Sequence, residues 1–207
     1  MLHKLIIKDS GVQAVYGPKA DVLKSDIQDL LESGVAIPRT EVVSTNTVKS
    51  ETKFKGITEA VYSVADGQAV SITEVNDPVF AQKMMGDGYA VEPVNGNVYA
   101  PVSGTVTSVF PTKHAVGILS DQGVEVLVHV GLDTVALNGA PFSTKVADGQ
   151  HVQAGDLLLV ADLDAIRSAD RETTIVVAFT NSAEIKSVSL VNLGQVSKDS
   201  QVATVEL

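Results

Sequence analysis

The sequence predicts an all-β protein, an antiparallel β-sandwich with internally related halves and short helical turns, preceded by a small strand-and-helix segment. Beyond Gly56 the chain runs in short stretches rich in Val, Ile and Thr, broken about every 8 to 12 residues by Gly, Asp, Asn or Pro. These stretches lack the 3.6-residue period of helices. Two of them echo each other: Val61-Tyr62-Ser63-Val64-Ala65-Asp66-Gly67 and Val98-Tyr99-Ala100-Pro101-Val102-Ser103-Gly104, each leading into an alternating run.

Taken in chain order, residues 1–8 are too short, and too interrupted by His3 and Lys4, for a signal peptide. GVQAVYGP (11–18) reads as a strand closed by Gly17-Pro18. ADVLKSDIQDLLE (20–32) sets Val22, Leu23, Ile27, Leu30 and Leu31 on one helical face, with Gly34 as a stop. One strand and one helix cannot bury a core alone. From Gly34 to Gly56 the Ser-, Thr- and Lys-rich sequence lacks periodicity and reads as a linker. The expected division is therefore 1–33, a linker at 34–56, and the β domain at 57–207, with a turn or two of helix around 162–168.

Composition narrows the function. Hydrophobic residues make up 44% of the 207-residue chain and charged residues 19%, enough apolar surface for a packed core. A formal net charge of −10 opposes binding to nucleic acid, which needs clustered Lys and Arg to displace counterions. The absence of cysteine excludes disulfides, thiolate zinc sites and a thiol nucleophile. No apolar stretch approaches the length of a membrane span, so the expectation is a cytoplasmic domain without direct membrane insertion, free or tethered within a longer permease.

The chemistry concentrates between His114 and Gly131. Two β runs flank the turn Ser120-Asp121-Gln122-Gly123 and predict a hairpin. A two-residue loop at Asp121-Gln122, or a four-residue one over 120–123, sets His114 directly opposite His129, with Cβ atoms about 4.5 to 5.5 Å apart. A three-residue loop with Gly123 as a bulge shifts the register by one and sends the imidazoles to opposite faces. Two imidazoles held close cannot both be protonated cheaply, so one stays neutral and offers a ring nitrogen as nucleophile. The other can donate to a phosphoryl oxygen in an in-line transfer, and Thr112 is placed to orient one ring. No metal or cofactor is then required. His3 and His151 lack such a partner and read as surface residues.

Several motifs give this reading a family. The run from Ile57 to Leu207 resembles the glucose-family enzyme IIA domain of the bacterial phosphoenolpyruvate:sugar phosphotransferase system, through VFAQKMMGDGYAVEP (79–93), VYAPVSGTV (98–106), TKHAVGI (112–118) and GVEVLVHVGLDTV (123–135). The resemblance implies a sandwich of the duplicated hybrid motif type and a phosphohistidine intermediate on His129, with His114 stabilising the phosphoryl group and Thr112 hydrogen-bonding the pair. It implies the histidine-containing phosphocarrier protein as donor and a cysteine of an enzyme IIB domain as acceptor. It further places Asp77, Val79, Phe80, Met84, Met85, Phe110, Leu127, Asp133 and Val135 around the site as a partner-binding set. Residues 11–32 resemble the C-terminal end of an enzyme IIB domain, which makes 1–33 a remnant of that domain.

Two other functions compete. A metal-dependent hydrolase could use His114, His129 and Asp133 as ligands, but the His-x-His motif of related zinc peptidases is missing, and only adventitious zinc is expected. A lipoyl-type carrier would display a modifiable Lys at a hairpin tip, and neither Lys113 nor Lys145 stands in that context. A regulatory binding role on the same sandwich is compatible with phosphotransfer.

Overall fold

The computed structural model describes the backbone of residues 2–8 and 11–16 and the whole of 56–207, in two units, Met1–Ser50 and Glu51–Leu207. In the first unit, β1 (Leu2–Lys8) pairs antiparallel with β2 (Gly11–Tyr16), the strand expected over GVQAVY. The helix expected over 20–32 and nearly all of the linker lie outside the described residues.

The second unit carries β3 (Thr58–Tyr62), β4 (Gly67–Ser71), the one-turn helix α1 (Pro78–Ala81), β5 (Asp87–Pro93), β6 (Asn97–Tyr99) and β7 (Gly104–Val109). Then follow β8 (Ala115–Ser120), β9 (Glu125–Val130), β10 (Phe142–Thr144), β11 (His151–Val152), β12 (Leu157–Ala161) and the helix α2 (Leu163–Ser168). The last strands are β13 (Ile175–Phe179), β14 (Ser187–Leu190), β15 (Gly194–Val196) and β16 (Gln201–Glu206). Helix α2 sits where helical turns were expected. Asp162 caps it by accepting from the Ala165 amide at 2.9 Å, and Leu163 and Ile166 face the interior.

An eight-stranded antiparallel sheet runs β11-β7-β8-β9-β13-β5-β4-β15, with β10-β12-β6 and β14-β16-β3 as three-stranded companions. The main core fills one face of the large sheet: Val126, Val128 and Val130 of β9 join Val116 and Ile118 of β8 and Ile175, Val177 and Phe179 of β13. The opposite face carries a smaller apolar group of Ile72, Val75, Phe80, Ala90, Leu132, Val176 and Ala178. Strand β13 is therefore covered on both sides, which is why IVVAF shows no polar alternation.

The two echoing segments meet. The Tyr62 amide donates to the Pro101 carbonyl at 2.9 Å, and the Tyr99 amide to the Val64 carbonyl at 2.7 Å. These bonds join corresponding residues reciprocally, the pattern of two halves related by a local two-fold. The sandwich with internally related halves is thus observed.

Candidate functional site

The histidine-bearing hairpin is built from β8 and β9, but its loop is not the even-length one that would set His114 directly opposite His129. The Gly123 amide donates to the Ser120 carbonyl, the Ser120 amide to the Val124 carbonyl, and Gly123 has φ +98°. This is a three-residue loop, Asp121-Gln122-Gly123, with glycine in the left-handed position such loops need. The ladder accordingly pairs His129 with Ala115 rather than with His114.

The two imidazoles nevertheless meet, with centroids 4.8 Å apart and planes at 81°. The expectation that this register would separate them fails because His114 lies outside β8. Lys113 before it has φ +56°, and the His114 carbonyl accepts the last ladder bond, from the Val130 amide at 2.7 Å. At a strand mouth that follows a left-handed residue, the alternation of the pleat no longer dictates where a side chain points. Contacts hold the rings instead. Thr112 Oγ1 lies 2.6 Å from His114 Nδ1, and the Phe110 ring stands edge-on to His114 at 5.6 Å.

His129 is anchored more deeply. Strand β9 is bonded on both sides, to β8 and β13, and His129 faces Val176 across the second ladder. It projects from the sheet face opposite the main core, where the Phe80 ring meets it edge-on at 5.2 Å. Its Nδ1 is sealed from solvent. Burial pushes its pKa down to about 4 from the ordinary 6.5, with the His114 ring acting the same way and the Gly131 backbone and the Asp77 carboxylate acting against it. The imidazole is therefore neutral at pH 7.

The residues after His129 lock this corner. Gly131 has φ +75°, and a Cβ there would stand 2.3 Å from Thr134 Cγ2 and 2.8 Å from the Glu172 carbonyl oxygen. Thr134 in turn donates from Oγ1 to the Val130 carbonyl at 2.6 Å. Gly131 and Thr134 were not singled out in the sequence, although a glycine two residues after a strand histidine is itself a sign of close backbone approach.

The set expected around the histidines divides in two. Phe80 and Leu127, 6% and 8% exposed, are packing residues and present little surface to a partner. Met84 and Met85, 68% and 41% exposed, stand out into solvent, and Val79 and Val135 are also exposed. Phe110 is half-buried against His114. Asp77 has a local role: its Oδ1 caps α1, accepting from the Val79 amide at 2.7 Å, and so positions Phe80. Asp133 is exposed with φ +56° and makes no side-chain capping bond.

The metal reading loses its third ligand. Among the described residues no group of three or more His, Asp or Glu could hold a metal ion, so Asp133 does not complete a set with the two histidines. A recess of about 390 Å³ opens near the hairpin loop, lined by residues that include Glu59, Tyr62 and Asp121, and none of the expected site residues lines it.

The chain has well-defined relatives. A model of the family described as phosphoenolpyruvate-dependent sugar phosphotransferase system, EIIA 1, matches residues 59–185. The glucose-specific EIICBA component of that system from Streptococcus pneumoniae is 62% identical over 204 residues, covering 98% of this chain and 28% of the relative. The glucosamine-specific EIICBA component from Bacillus subtilis is 41% identical over 176 residues, covering 85% of this chain and 27% of the relative. Among solved structures, the glucose permease IIA from Mycoplasma capricolum is similar, with a TM-score of 0.66 and 38% identity, over 72% of this chain and 96% of that one. The chain thus spans under a third of the length of these curated relatives.

Proposed function

Because this chain belongs to the EIIA 1 family of the phosphoenolpyruvate-dependent sugar phosphotransferase system, and is a phosphotransferase component of that system, we propose that His129 is the residue that carries the phosphoryl group. One observation carries the assignment: a neutral, half-buried imidazole stands 4.8 Å from a second imidazole on the sheet face opposite the main core. Burial of Nδ1 leaves Nε2 as the ring nitrogen that a donor can reach. The lone pair of Nε2 attacks phosphorus, the new N–P bond forms as the donor's phosphohistidine N–P bond breaks, and the donor imidazole leaves with its electron pair. In the tautomer in which Thr112 donates to His114 Nδ1, the His114 proton sits on Nε2, where it can hydrogen-bond a phosphoryl oxygen. Phe80 and Phe110 flank the two rings and limit water access to a labile phosphohistidine.

The donor is the histidine-containing phosphocarrier protein, and the acceptor is a cysteine thiolate of an enzyme IIB domain. Residues 1–33 are the end of such a domain and 34–56 a linker to 57–207, a division supported by relatives whose names join EIIC, EIIB and EIIA. Those names point to glucose or glucosamine as the sugar. The domain works on the cytoplasmic side, tethered through that larger polypeptide. Among the described residues no helix is long and apolar enough to cross a membrane.

Incubation with the phosphorylated phosphocarrier protein, followed by mass spectrometry and acid treatment, tests the assignment. One acid-labile phosphoryl group is expected on the native chain and none on His129→Gln. His114→Gln should accept the group and pass it on poorly. Normal labelling of His129→Gln would overturn the assignment.

A further inference from the structure

The chain contains no cysteine, and its three methionines are Met1, Met84 and Met85. All the sulfur of residues 2–207 therefore lies in two adjacent side chains, both exposed. They sit in the turn after α1, which folds back on Val79 and on Phe80, whose ring touches His129. The Met84 amide donates to the Val79 carbonyl at 3.0 Å and the Lys83 amide to the Phe80 carbonyl at 2.8 Å, while the Phe80 ring stands 5.2 Å from the imidazole. A protein donor must bring its phosphorus to within bonding distance of His129, so its surface comes down over this turn beside Phe80.

We propose that Met84 and Met85 form an oxidation-sensitive site, converted to sulfoxides by peroxides, and that this conversion slows phosphoryl uptake by His129. The inference rests on the reading of His129 as the phosphoryl acceptor. The thioether lone pair attacks one peroxide oxygen, the S–O bond forms as the O–O bond breaks, and the departing hydroxide takes the proton of the sulfur-bound hydroxyl, leaving the sulfoxide and water. Sulfur is oxidised by two electrons and the peroxide reduced by two. The product replaces a flexible apolar side chain by a polar one whose oxygen must be desolvated when a donor covers it. Residues 2–207 hold no thiol to consume the oxidant first, and their two thioethers, both exposed, are open to it. A methionine sulfoxide reductase restores them.

The test treats the full chain with hydrogen peroxide, maps the peptide containing Met84 and Met85 by mass spectrometry, and measures the initial rate of labelling at limiting phosphorylated donor. Met84→Leu/Met85→Leu is treated in parallel, each protein being compared with its own untreated rate. The expected result is oxygen addition at both methionines and a fall in rate of about tenfold, equivalent to about 1.4 kcal/mol of lost docking. Sulfoxide reductase should reverse that fall, and the treated-to-untreated ratio of the double Leu variant should stay near one. Undiminished labelling of the sulfoxide form would overturn the proposal, as would an equal loss in the Leu variant. An untreated chain that takes up no phosphoryl group overturns the acceptor reading, and the inference falls with it.

Discussion

Replacing His129 by Gln should remove an acid-sensitive contribution to the stability of the sandwich. The unfolded imidazole takes up its proton near 6.5 and the folded one near 4, so between those values the unfolded state binds more protons. Stability from this group is complete above the unfolded value and declines as pH falls through the window. At about pH 5 the chain is about 1.5 units below the unfolded value, and at about 1.4 kcal/mol per unit the loss is about 2 kcal/mol. It approaches about 3 kcal/mol near pH 4. Glu59 works with the opposite sign: burial holds its carboxyl above the usual range, against the hydrogen bond from Ser120, so its contribution is lost as pH rises. Glu59 is present in both proteins and cancels in their difference. The assay is urea unfolding of native and His129→Gln chains from about pH 7.5 to about pH 5, with the His129 imidazole followed by NMR. The native chain should lose about 2 kcal/mol more than the variant over that range. Parallel losses, or an imidazole that titrates near 6.5, would refute the argument from burial.

Gly131→Ala should destabilise the fold by about 1 to 3 kcal/mol in urea unfolding, since a left-handed backbone and a 2.3 Å clash with Thr134 act together. Thr112→Val keeps the side-chain shape and removes the hydroxyl beside His114 Nδ1. It should cost about 0.5 to 1.5 kcal/mol and slow phosphoryl transfer to the acceptor more than uptake from the donor, which single-turnover labelling separates. Asp77→Ala removes the cap that positions Phe80 and should cost about 0.5 to 2 kcal/mol, whereas Asp77→Asn, which keeps a capping oxygen, should stay within a few tenths of the native value in the same unfolding assay.

Much of this molecule can be read from local sequence because strand physics is local. The alternation of Val126, Val128 and Val130 with Leu127 and His129 already divides β9 into a core face and an outer face, and the ladders keep that division. Asp162 before an apolar turn signals α2, and the paired VY…G segments anticipate the reciprocal bonds between the halves. The loop length was left open by the sequence, since Ser120-Asp121-Gln122-Gly123 suits two, three or four loop residues, and the ladder of β8 and β9 fixed it at three.

The meeting of the two imidazoles was not legible in the same way. Pleat alternation in the observed register sends them to opposite faces, and only the chain's departure from strand geometry at Lys113, with the contacts of Thr112 and Phe110, turns His114 back towards His129. Likewise, nothing local distinguishes Phe80, buried against an imidazole, from Met84, four residues on and open to solvent. By itself, then, the sequence determined the strands, the related halves and which face of β9 His129 occupies, because these follow from periodicity and residue type. The tertiary structure decided how the two rings meet, how far His129 is pushed from its ordinary protonation, and which neighbours remain exposed. Those properties depend on desolvation and on contacts between residues that neither share a strand nor follow its period.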